Sequence, residues 1–531
     1  MLLESNQGWK HSDFKKIGIY LKGNFYYKNK LYSDIAAIEK LYSILVNKKL
    51  EFVSNKEIHS FVQEIRGNFS FVIEAKDSIL IAVDKIRSYP IYYSNGDKYV
   101  SNSLKNLKGA IDNLSLLEME MSGFVLNDKT LYKEINQLLP GEFAIRRSES
   151  STFSRIRYYK YGYTDKTYNG SNENMLMGQL HELHIEIFSE LIKFLDGRPV
   201  WVPLSGGLDS RIILALLLEC GYENISTFSY GIKNFWEIRN AKKIAQKANV
   251  KWHSCIYDPR KTKNEFNSLN ARDYYRAASE SAVPAMNDFY AIIQLKKKGL
   301  ISDDAVFING QTGDFLTGGH IPEINSNDCN VRNLVNKIIT KHHSLWSQLK
   351  TKTNIKLLSN EILSILNLDA DDVISKDEFA KLYEYYEWQE RQCKFVVNGQ
   401  RIYEWFDYDW KLPLWDDRLM SFWETIPTEL KVNRKLFRKY LELYNPGLLF
   451  DLKLDLPDYR HIPWYWKVLT SLSRKLFPKY PFQENFVNYF STYAPFHPHK
   501  NYWSFLKESK GSRNSVSFHA KLIVDRVRDV G

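Results

Sequence analysis

Short apolar stretches separated by polar turns recur along the first 160 positions of the chain. They are rich in β-branched and aromatic residues, and turn signals such as Lys76-Asp77-Ser78 separate them, a pattern typical of antiparallel strands. The predicted strands are Ile17–Tyr27, Asn68–Glu74, Ile79–Val83 and Pro90–Tyr93. The pattern therefore predicts a β-rich (α+β) N-terminal domain over residues 1–162, followed by a polar linker at 163–174.

After the linker the pattern changes to apolar strands that alternate with helices. Strands are predicted at 200–204, 225–230, 250–255 and 305–309, helices at 210–220 and 236–248, and a long helical stretch reaches Gly299. Repeated βα units of this length indicate a parallel sheet with helices on both faces. From about residue 330 the pattern is mainly helical. The second predicted domain, residues 175–531, is therefore α/β with a helical C-terminal extension.

Composition narrows the class of protein without identifying it. Of the 531 residues, 44% are hydrophobic and 25% are charged, which is typical of a globular chain. The formal net charge of +11 comes from scattered basic residues, so we expect a solvated basic surface and no nucleic-acid partner. The four widely spaced cysteines suggest neither a disulfide framework nor a zinc knuckle. Because the sequence shows no signal peptide and no apolar run of about 18 residues, we expect a cytoplasmic protein without a transmembrane segment.

The strongest chemical signal is the segment Ser205-Gly-Gly-Leu-Asp-Ser210, between a predicted strand and a predicted helix. Two glycines allow a tight turn whose N–H groups face an oxyanion, and the following helix directs its positive N-terminal end to the same place. Both serines add hydroxyl groups, and Asp209 supplies a carboxylate able to hold Mg²⁺ beside a pyrophosphate. The alternative is a glycine-rich turn in which Asp209 only caps the helix.

This SGGxDS loop resembles the pyrophosphatase loop of the asparagine synthetase family, which is related to β-lactam synthetases and lasso-peptide cyclases. The segment 227–232 is similar to the family's second strand, and 307–319 is similar to its second phosphate-binding segment, GxGxDExxGG. The resemblance implies ATP and Mg²⁺ as cofactors, with Asp209 and Asp314 as metal carboxylates and Asp314 also in a catalytic role. It implies that ATP is bound by Leu204, Ser205, Gly206, Gly207, Asp209, Ser210, Ser229, Gly231 and Gly310.

A third similarity lies further along the chain. The segment 412–418 resembles the family's P-F-L-D segment, and Lys435-Leu-Phe-Arg438 resembles its K-x-x-x-R helix. By this resemblance Lys435 is a catalytic residue that steadies the negative charge of an adenylate. Lys431 stays open as the true equivalent, because several basic residues crowd this region, and a solvated basic helix is the alternative.

The N-terminal domain resembles the family's Ntn-type glutaminase, a β-sandwich, and the second domain resembles its adenine-nucleotide α-hydrolase-like (HUP) synthetase domain. The segments 84–93, 99–105 and 138–142 look like later glutaminase strands. In working members a cysteine after the initiator Met is the nucleophile, whereas here Leu2 stands there and the first cysteine is Cys220. Lys22-Gly23-Asn24 also replaces the family's Asn-Gly-Glu clamp. We therefore expect a degenerate glutaminase-like domain that packs on the synthetase half, with a missing upstream segment as the alternative.

The resemblance implies an ATP-dependent, AMP-forming amide ligase that adenylates a small-molecule or sugar carboxylate. Ammonia, from solution or from a separate glutaminase, or an amine on the substrate would supply the nitrogen. Gln311 and Phe315 stand where asparagine synthetases have acidic residues, so aspartate is a poor candidate substrate. A role in surface-polysaccharide or natural-product biosynthesis is the expectation. An inactive nucleotide-binding scaffold, an intramolecular cyclase and a tRNA-modifying enzyme are the alternatives, and oligomerisation stays open.

Two weaker patterns are histidine pairs and an aromatic segment near the C-terminal end. His342-His343 and His497-Pro-His499 are expected at the surface rather than on a metal, because no partner lies at a useful spacing. The segment 464–477 is expected to be a core helix with an aromatic face, and a helix lying on a membrane surface is the alternative.

Overall fold

The computed structural model describes residues 8–456 and 510–530, together with Val468 and Glu508, except for short gaps. The gaps are 47–51, 96–98, 106, 108, 149, 151, 165–167, 169–171, 280 and 326–328. The expectations for Leu2, for His497 and His499 and, apart from Val468, for 464–477 lie outside the described residues.

Two antiparallel sheets form the N-terminal half. The strands of the larger sheet are β1 (Lys10–Phe14), β2 (Ile17–Tyr27), β3 (Lys30–Ser33), β4 (Arg66–Glu74), β5 (Ile79–Val83), β9 (Glu142–Arg146) and β10 (Ser154–Arg157). Their order is β1-β2-β4-β5-β9-β10, with β3 paired to β2. The smaller sheet has β6 (Tyr92–Ser94), β7 (Val100–Ser101) and β8 (Ile135–Gln137), in the order β7-β6-β8.

Alternation of side chains along the strands explains why both faces of the larger sheet are covered. One face, including Ile19 and Phe25 of β2, shares a buried cluster with the helices α1 (Asp34–Leu45) and α2 (Asn55–Glu64). The other face, including Ile81 of β5, shares a second cluster with Tyr93 and Val100 of the smaller sheet. The period-2 pattern therefore becomes a two-sheet sandwich with helices on its outer side, as predicted.

A five-stranded parallel sheet organises the second half. Its strands are β11 (Val200–Pro203), β12 (Ile225–Gly231), β13 (Lys251–Ile256), β14 (Val306–Ile308) and β15 (Asp409–Lys411), in the order β13-β12-β11-β14-β15. The first connections run through α5 (Leu208–Glu219) and α6 (Trp236–Lys247), and α4 (Glu173–Leu195) precedes the sheet. The order reverses between β11 and β14, and ligands of open parallel sheets bind in the crevice at such a reversal.

The remaining helices surround this sheet and extend from it. They are α3 (Asn113–Ser122), α7 (Pro259–Phe266), α8 (Leu269–Ala278), α9 (Phe289–Lys297), α10 (Gly313–Leu316), α11 (Val331–His342), α12 (Lys352–Leu366), α13 (Lys376–Tyr386), α14 (Arg401–Trp405), α15 (Asp417–Thr425), α16 (Thr428–Lys431), α17 (Lys435–Tyr444) and α18 (Ser515–Val530). A π-helix, Glu387–Val396, follows α13. Within the described part of the chain, none of these helices has the length and apolarity that a membrane crossing requires.

The predicted fold class, α/β with an α+β N-terminal half, is confirmed, and three local predictions are wrong. The long helical stretch before Gly299 is three helices, and Pro284, which disfavours helix continuation, lies in the break between α8 and α9. Strand β15 was not predicted, since Asp409-Trp-Lys411 contains no apolar run. His342 and His343 are buried rather than on the surface, bonded to the Tyr hydroxyls of 383 and 386 at 3.1 and 2.6 Å. The domain boundary between 162 and 175 stays a prediction.

The two halves are held together by buried polar contacts. The Lys394 ammonium, fully buried, lies 2.6 Å from a Glu390 carboxylate oxygen and donates to the Val125 carbonyl at 3.1 Å. The Trp388 indole donates to the Lys85 carbonyl at 3.1 Å. The N-terminal half therefore packs on the C-terminal half, as the sequence led us to expect.

Candidate functional site

The segment 204–210 forms a tight loop between β11 and α5, and its serines hold it in shape. The Ser210 hydroxyl accepts from the Ser205 N–H at 3.0 Å and lies 3.0 Å from the Ser205 hydroxyl, which accepts from the Gly207 N–H at 3.1 Å. A Cβ on Gly206 would lie 3.0 Å from the Asn240 Cβ, which leaves little room for a side chain there. The loop thus presents its backbone and the N-terminus of α5, a 12-residue helix, to the crevice.

The second predicted phosphate segment lies against this loop. A Cβ on Gly310 would lie 2.6 Å from the carbonyl carbon and oxygen of Asp209 and 2.8 Å from the Ser210 nitrogen. A Cβ on Gly313 would lie 2.8 Å from an Asp209 carboxylate oxygen. The segments that follow the carboxyl ends of β11 and β14, more than 100 residues apart in sequence, therefore lie in backbone contact. The glycines permit this close approach.

Each of the two predicted metal carboxylates lies beside a cation. The Arg434 guanidinium is 2.5 Å from Asp209 Oδ1, and His320 Nε2 is 2.9 Å from Asp314 Oδ2. Burial raises the pKa of the Asp209 carboxyl, Arg434 opposes that rise, and the nearby charge of Asp314 adds to it. Burial also acts to raise the pKa of Asp314, but the hydrogen bond and charge of His320, the charge of Arg434 and the Phe315 N–H together outweigh burial and bring it to about 2.

His320 is itself placed between two carboxylates. Its Nδ1 contacts a carboxylate oxygen of Glu387, which is fully buried in the π-helix. Burial acts to lower the pKa of His320, yet the bonds to Asp314 and Glu387 raise it to about 9. The imidazolium therefore donates at both nitrogens and fixes the Asp314 side chain.

A pocket of about 170 Å³ lies beside the loop at the carboxyl ends of β11 and β12. It is lined by Pro203, Leu204, Ser205, Phe228, Ser229, Tyr230, Phe235, Glu237 and Ile238. The Ser229 hydroxyl donates to the Leu204 carbonyl at 2.6 Å and joins the two strands. Gly231, which has a φ of 141° that only glycine tolerates, ends β12 at the same edge. An aromatic and apolar pocket with a few polar groups suits a nucleoside.

The structure brings together most of the residues that the sequence singled out, but Lys435 has a different setting. Lys435 is exposed on the first turn of α17, and Lys431 is buried with its ammonium 2.6 Å from a Glu384 carboxylate oxygen. The residue on the Asp209 carboxylate is Arg434, which lies in the left-handed region at φ 61°. In the K-x-x-x-R pattern the first residue lies four positions before the arginine, and four positions before Arg438 is Arg434. The sequence therefore already indicated a cation at this position. His320 and Glu387 had no such signal.

The two positions that depart from asparagine synthetases have structural partners. The Gln311 side-chain oxygen accepts from the Gln400 amide at 2.7 Å, which fixes a neutral group there. Phe315 is fully buried and stacks on Trp415 with ring centroids 5.6 Å apart. Neither position carries an acid–base group.

The donor set fits Mg²⁺ bound together with a polyphosphate. Among the described residues, no three His, Cys, Asp or Glu side chains converge on a dedicated metal site. Mg²⁺ is typically held by one or two carboxylates together with substrate phosphates, and Asp209 and Asp314 supply two. The buried Arg434 Nε finds no hydrogen-bond partner in the described part of the chain, and a phosphate oxygen is the kind of acceptor it lacks.

Comparisons with known proteins agree with this geometry. Residues 193–449 match the model of the family described as asparagine synthase. The 7-cyano-7-deazaguanine synthase of Rickettsia felis (strain ATCC VR-1525 / URRWXCal2) is 31% identical over 122 residues, which cover 21% of this chain and 54% of that protein. The enzyme of the same name from Rickettsia akari (strain Hartford) is 43% identical over 54 residues, or 10% of this chain and 24% of that one. The chain thus spans about half or less of the length of these relatives.

Among solved structures, similarity is found to the glutamine phosphoribosylpyrophosphate amidotransferase of B. subtilis complexed with ADP and GMP. Sequence identity is 12%, the match covers 57% of this chain and 58% of that one, and the TM-score is 0.18. A structure described as the allosteric regulatory enzyme of purine biosynthesis gives 13% identity, 57% coverage of each chain and the same TM-score of 0.18. Similarity at this level supports no conclusion about function.

Proposed function

We propose, from the match of residues 193–449 to the asparagine synthase family, that this chain is an ATP-dependent, AMP-forming amide ligase. The observation that carries the proposal is the meeting of Asp209 and Asp314 at neighbouring strand ends, with Arg434 on one and His320 on the other. Backbone N–H groups, a helix N-terminus, two carboxylates and a guanidinium at one place suit a triphosphate whose pyrophosphate leaves.

In the proposed reaction a substrate carboxylate attacks the α-phosphorus of ATP, and the bond to the β-phosphate oxygen breaks. Acyl-adenylate and pyrophosphate form, and a nitrogen nucleophile then displaces AMP to give an amide. Bound Mg²⁺, held by Asp209 and Asp314, would neutralise phosphate charge. The chain's own share is positioning: the loop after β11 aligns the phosphates, and the pocket at Ser229 holds the nucleoside.

Arg434 is the cation that we assign to the developing phosphate charge, in preference to Lys435. Its guanidinium is buried in the crevice, whereas the Lys435 side chain is exposed. Arginine also binds phosphate through a planar fork of donors, which fixes geometry better than an ammonium does. The Lys431 ammonium is paired with Glu384, and the Lys431 carbonyl oxygen packs against Gly318, where a Cβ would lie 2.4 Å away.

The nitrogen donor is proposed to be free ammonia, a separate glutaminase or an amine on the substrate. Within the sequence given, position 2 is leucine and the first cysteine, Cys220, lies on the boundary of α5 in the second half. Lys22 of the N-terminal half is engaged with Glu404, and Asn24 accepts from the Lys411 ammonium at 2.9 Å. These side chains join the two halves, a role that agrees with a glutaminase-like domain kept for structure.

The experiment is to measure release of AMP and pyrophosphate from Mg·ATP with mixed carboxylic acids, including uronic-acid sugars. Each acid is supplied with ammonium or with glutamine, and Asp209→Ala is the control. AMP formation with ammonium but not with glutamine, absent from the control, is the expected result. Turnover with glutamine alone would overturn the assignment of the N-terminal half. ATP binding without AMP across the whole panel would favour a nucleotide-binding scaffold.

A further inference from the structure

A polar cavity of about 580 Å³ adjoins the Asp314 end of the site. One wall is the segment 319–322, which follows Asp314 directly, and the opposite wall is one face of α11. That face is formed by Asn333, Asn336, Lys337, Thr340 and Lys341. These positions recur every three or four residues and so lie on one side of the helix. The other side of α11, with Leu334 and Ile338, is buried in the main core.

Among the described residues that line the cavity, Lys337, Lys341 and Arg513 are cationic, and none is Asp or Glu. Arg513 donates to the Lys341 carbonyl at 2.6 Å, and Lys337 donates to the Glu323 carbonyl at 2.9 Å, so both cations are held at defined positions. The side chains of Asn336 and Thr340 add amide and hydroxyl groups. Cations interleaved with such donors bind oxyanions, above all those of the phosphate class.

The cavity lies next to Asp314, because two of its lining residues contact that residue. Gly319 and His320 line the cavity, while the Gly319 N–H donates to the Asp314 carbonyl at 2.8 Å and His320 contacts the Asp314 carboxylate. The proposed reaction breaks the bond to pyrophosphate at this end of the site. The most highly charged product therefore forms next to a cavity that Lys337, Lys341 and Arg513 line.

We propose that this cavity is a second oxyanion site, which receives the pyrophosphate released beside Asp209 and Asp314. The proposal rests on the proposed function for the source of the anion. Pyrophosphate held there would leave the nucleotide loop free for the displacement step or for the next ATP. Lys341 and Arg513 are the binding groups, and Asn336 lines the same cavity.

The test is calorimetric titration of the full chain with inorganic pyrophosphate and Mg²⁺, while a non-hydrolysable α,β-methylene ATP analogue saturates the nucleotide loop. Pyrophosphate is expected to bind with the analogue present. The double variant Lys341→Ala, Arg513→Ala should weaken this binding by about tenfold or more, since each loses a charge-assisted hydrogen bond. Asn336→Asp, which places a carboxylate among the cations, should weaken it by a similar factor. Lys356→Ala, an exposed lysine of α12 outside the cavity, is the matched control and should bind as the parent does.

Three results would overturn the proposal. Loss of pyrophosphate binding when the analogue is present would place it only on the nucleotide loop. Unchanged pyrophosphate binding in both cavity variants would show that Lys341 and Arg513 only stabilise the C-terminal end of α11. If sulfate binds as tightly as pyrophosphate, the cavity is a basic patch without selectivity for pyrophosphate. Because no turnover is needed, failure of the ligase assay and failure of this titration are distinguishable.

Discussion

An alanine at position 310 tests the contact on which the candidate site is built. The added Cβ would lie 2.6 Å from the carbonyl carbon and oxygen of Asp209 and 2.8 Å from the Ser210 nitrogen. Unstrained carbon contacts begin at about 3.5 Å, so one segment must move by roughly 0.9 Å. Gly310 does not have a positive φ, and the whole effect is therefore steric.

Two consequences of Gly310→Ala follow, and they are measured separately. Overpacking against backbone should lower the free energy of unfolding by about 1–3 kcal/mol, as read from urea denaturation. Displacement of the nucleotide loop by nearly 1 Å should reduce AMP formation by on the order of 100-fold and weaken binding of Mg·ATP in a calorimetric titration. The second effect should persist at temperatures where the variant is fully folded.

Gly178→Ala is the matched control. Gly178 lies inside α4, and its Cβ would meet only the Tyr444 hydroxyl at 3.4 Å, an ordinary contact. Alanine there should stabilise the helix by about 0.5–1 kcal/mol without affecting nucleotide binding. If Gly310→Ala binds Mg·ATP and unfolds like the parent chain, the close approach of the two segments is refuted as the basis of the site.

Three further predictions follow from other contacts. Arg434→Ala should weaken Mg·ATP binding by about 10- to 100-fold through loss of charge-assisted hydrogen bonds. Lys435→Ala should weaken it by less than about twofold. Equal losses of affinity in the two variants, measured by calorimetry, would contradict the assignment of phosphate binding to Arg434 in preference to Lys435. Glu390→Gln should lower the free energy of unfolding in urea by about 3–5 kcal/mol, because the buried Lys394 ammonium loses the carboxylate 2.6 Å away; a loss under about 1 kcal/mol would contradict this. Burial lowers the pKa of Lys411 to about 8. Above that pH the unfolded chain therefore binds more protons than the folded chain does. The free energy of unfolding should rise between about pH 8 and 10.4 by up to about 3 kcal/mol relative to that of Lys411→Met. Parallel pH profiles of the two proteins would exclude this lowered pKa.

Much of the fold was predictable because its signals are local. Strands β2 and β5 have the bounds predicted from their β-branched and aromatic residues and the turn signals between them, Ile17–Tyr27 and Ile79–Val83. The loop at 205–210 was found from its glycines and its position between a strand and a helix. Strand β15 was not predictable in this way, since three residues gain their conformation from pairing with β14.

The site was predictable only where its residues follow a strand. Asp209 and Asp314 each come shortly after a parallel strand, so their convergence follows from topology. Glu387 reaches His320 from 67 positions away, out of a π-helix that no local pattern indicates. The choice between Arg434 and Lys435 depends on where α17 begins, and helix ends are poorly defined by propensity.

The most direct test of the central claim is the identity of the cleaved bond. ³¹P nuclear magnetic resonance of Mg·ATP, incubated with the chain, ammonium and the carboxylic-acid panel, distinguishes cleavage at the α-phosphorus from cleavage at the γ-phosphorus. Substrate-dependent signals of AMP and pyrophosphate, absent with Asp209→Ala, are the expected result. Growth of ADP and orthophosphate signals in their place, dependent on the same substrate, would contradict it.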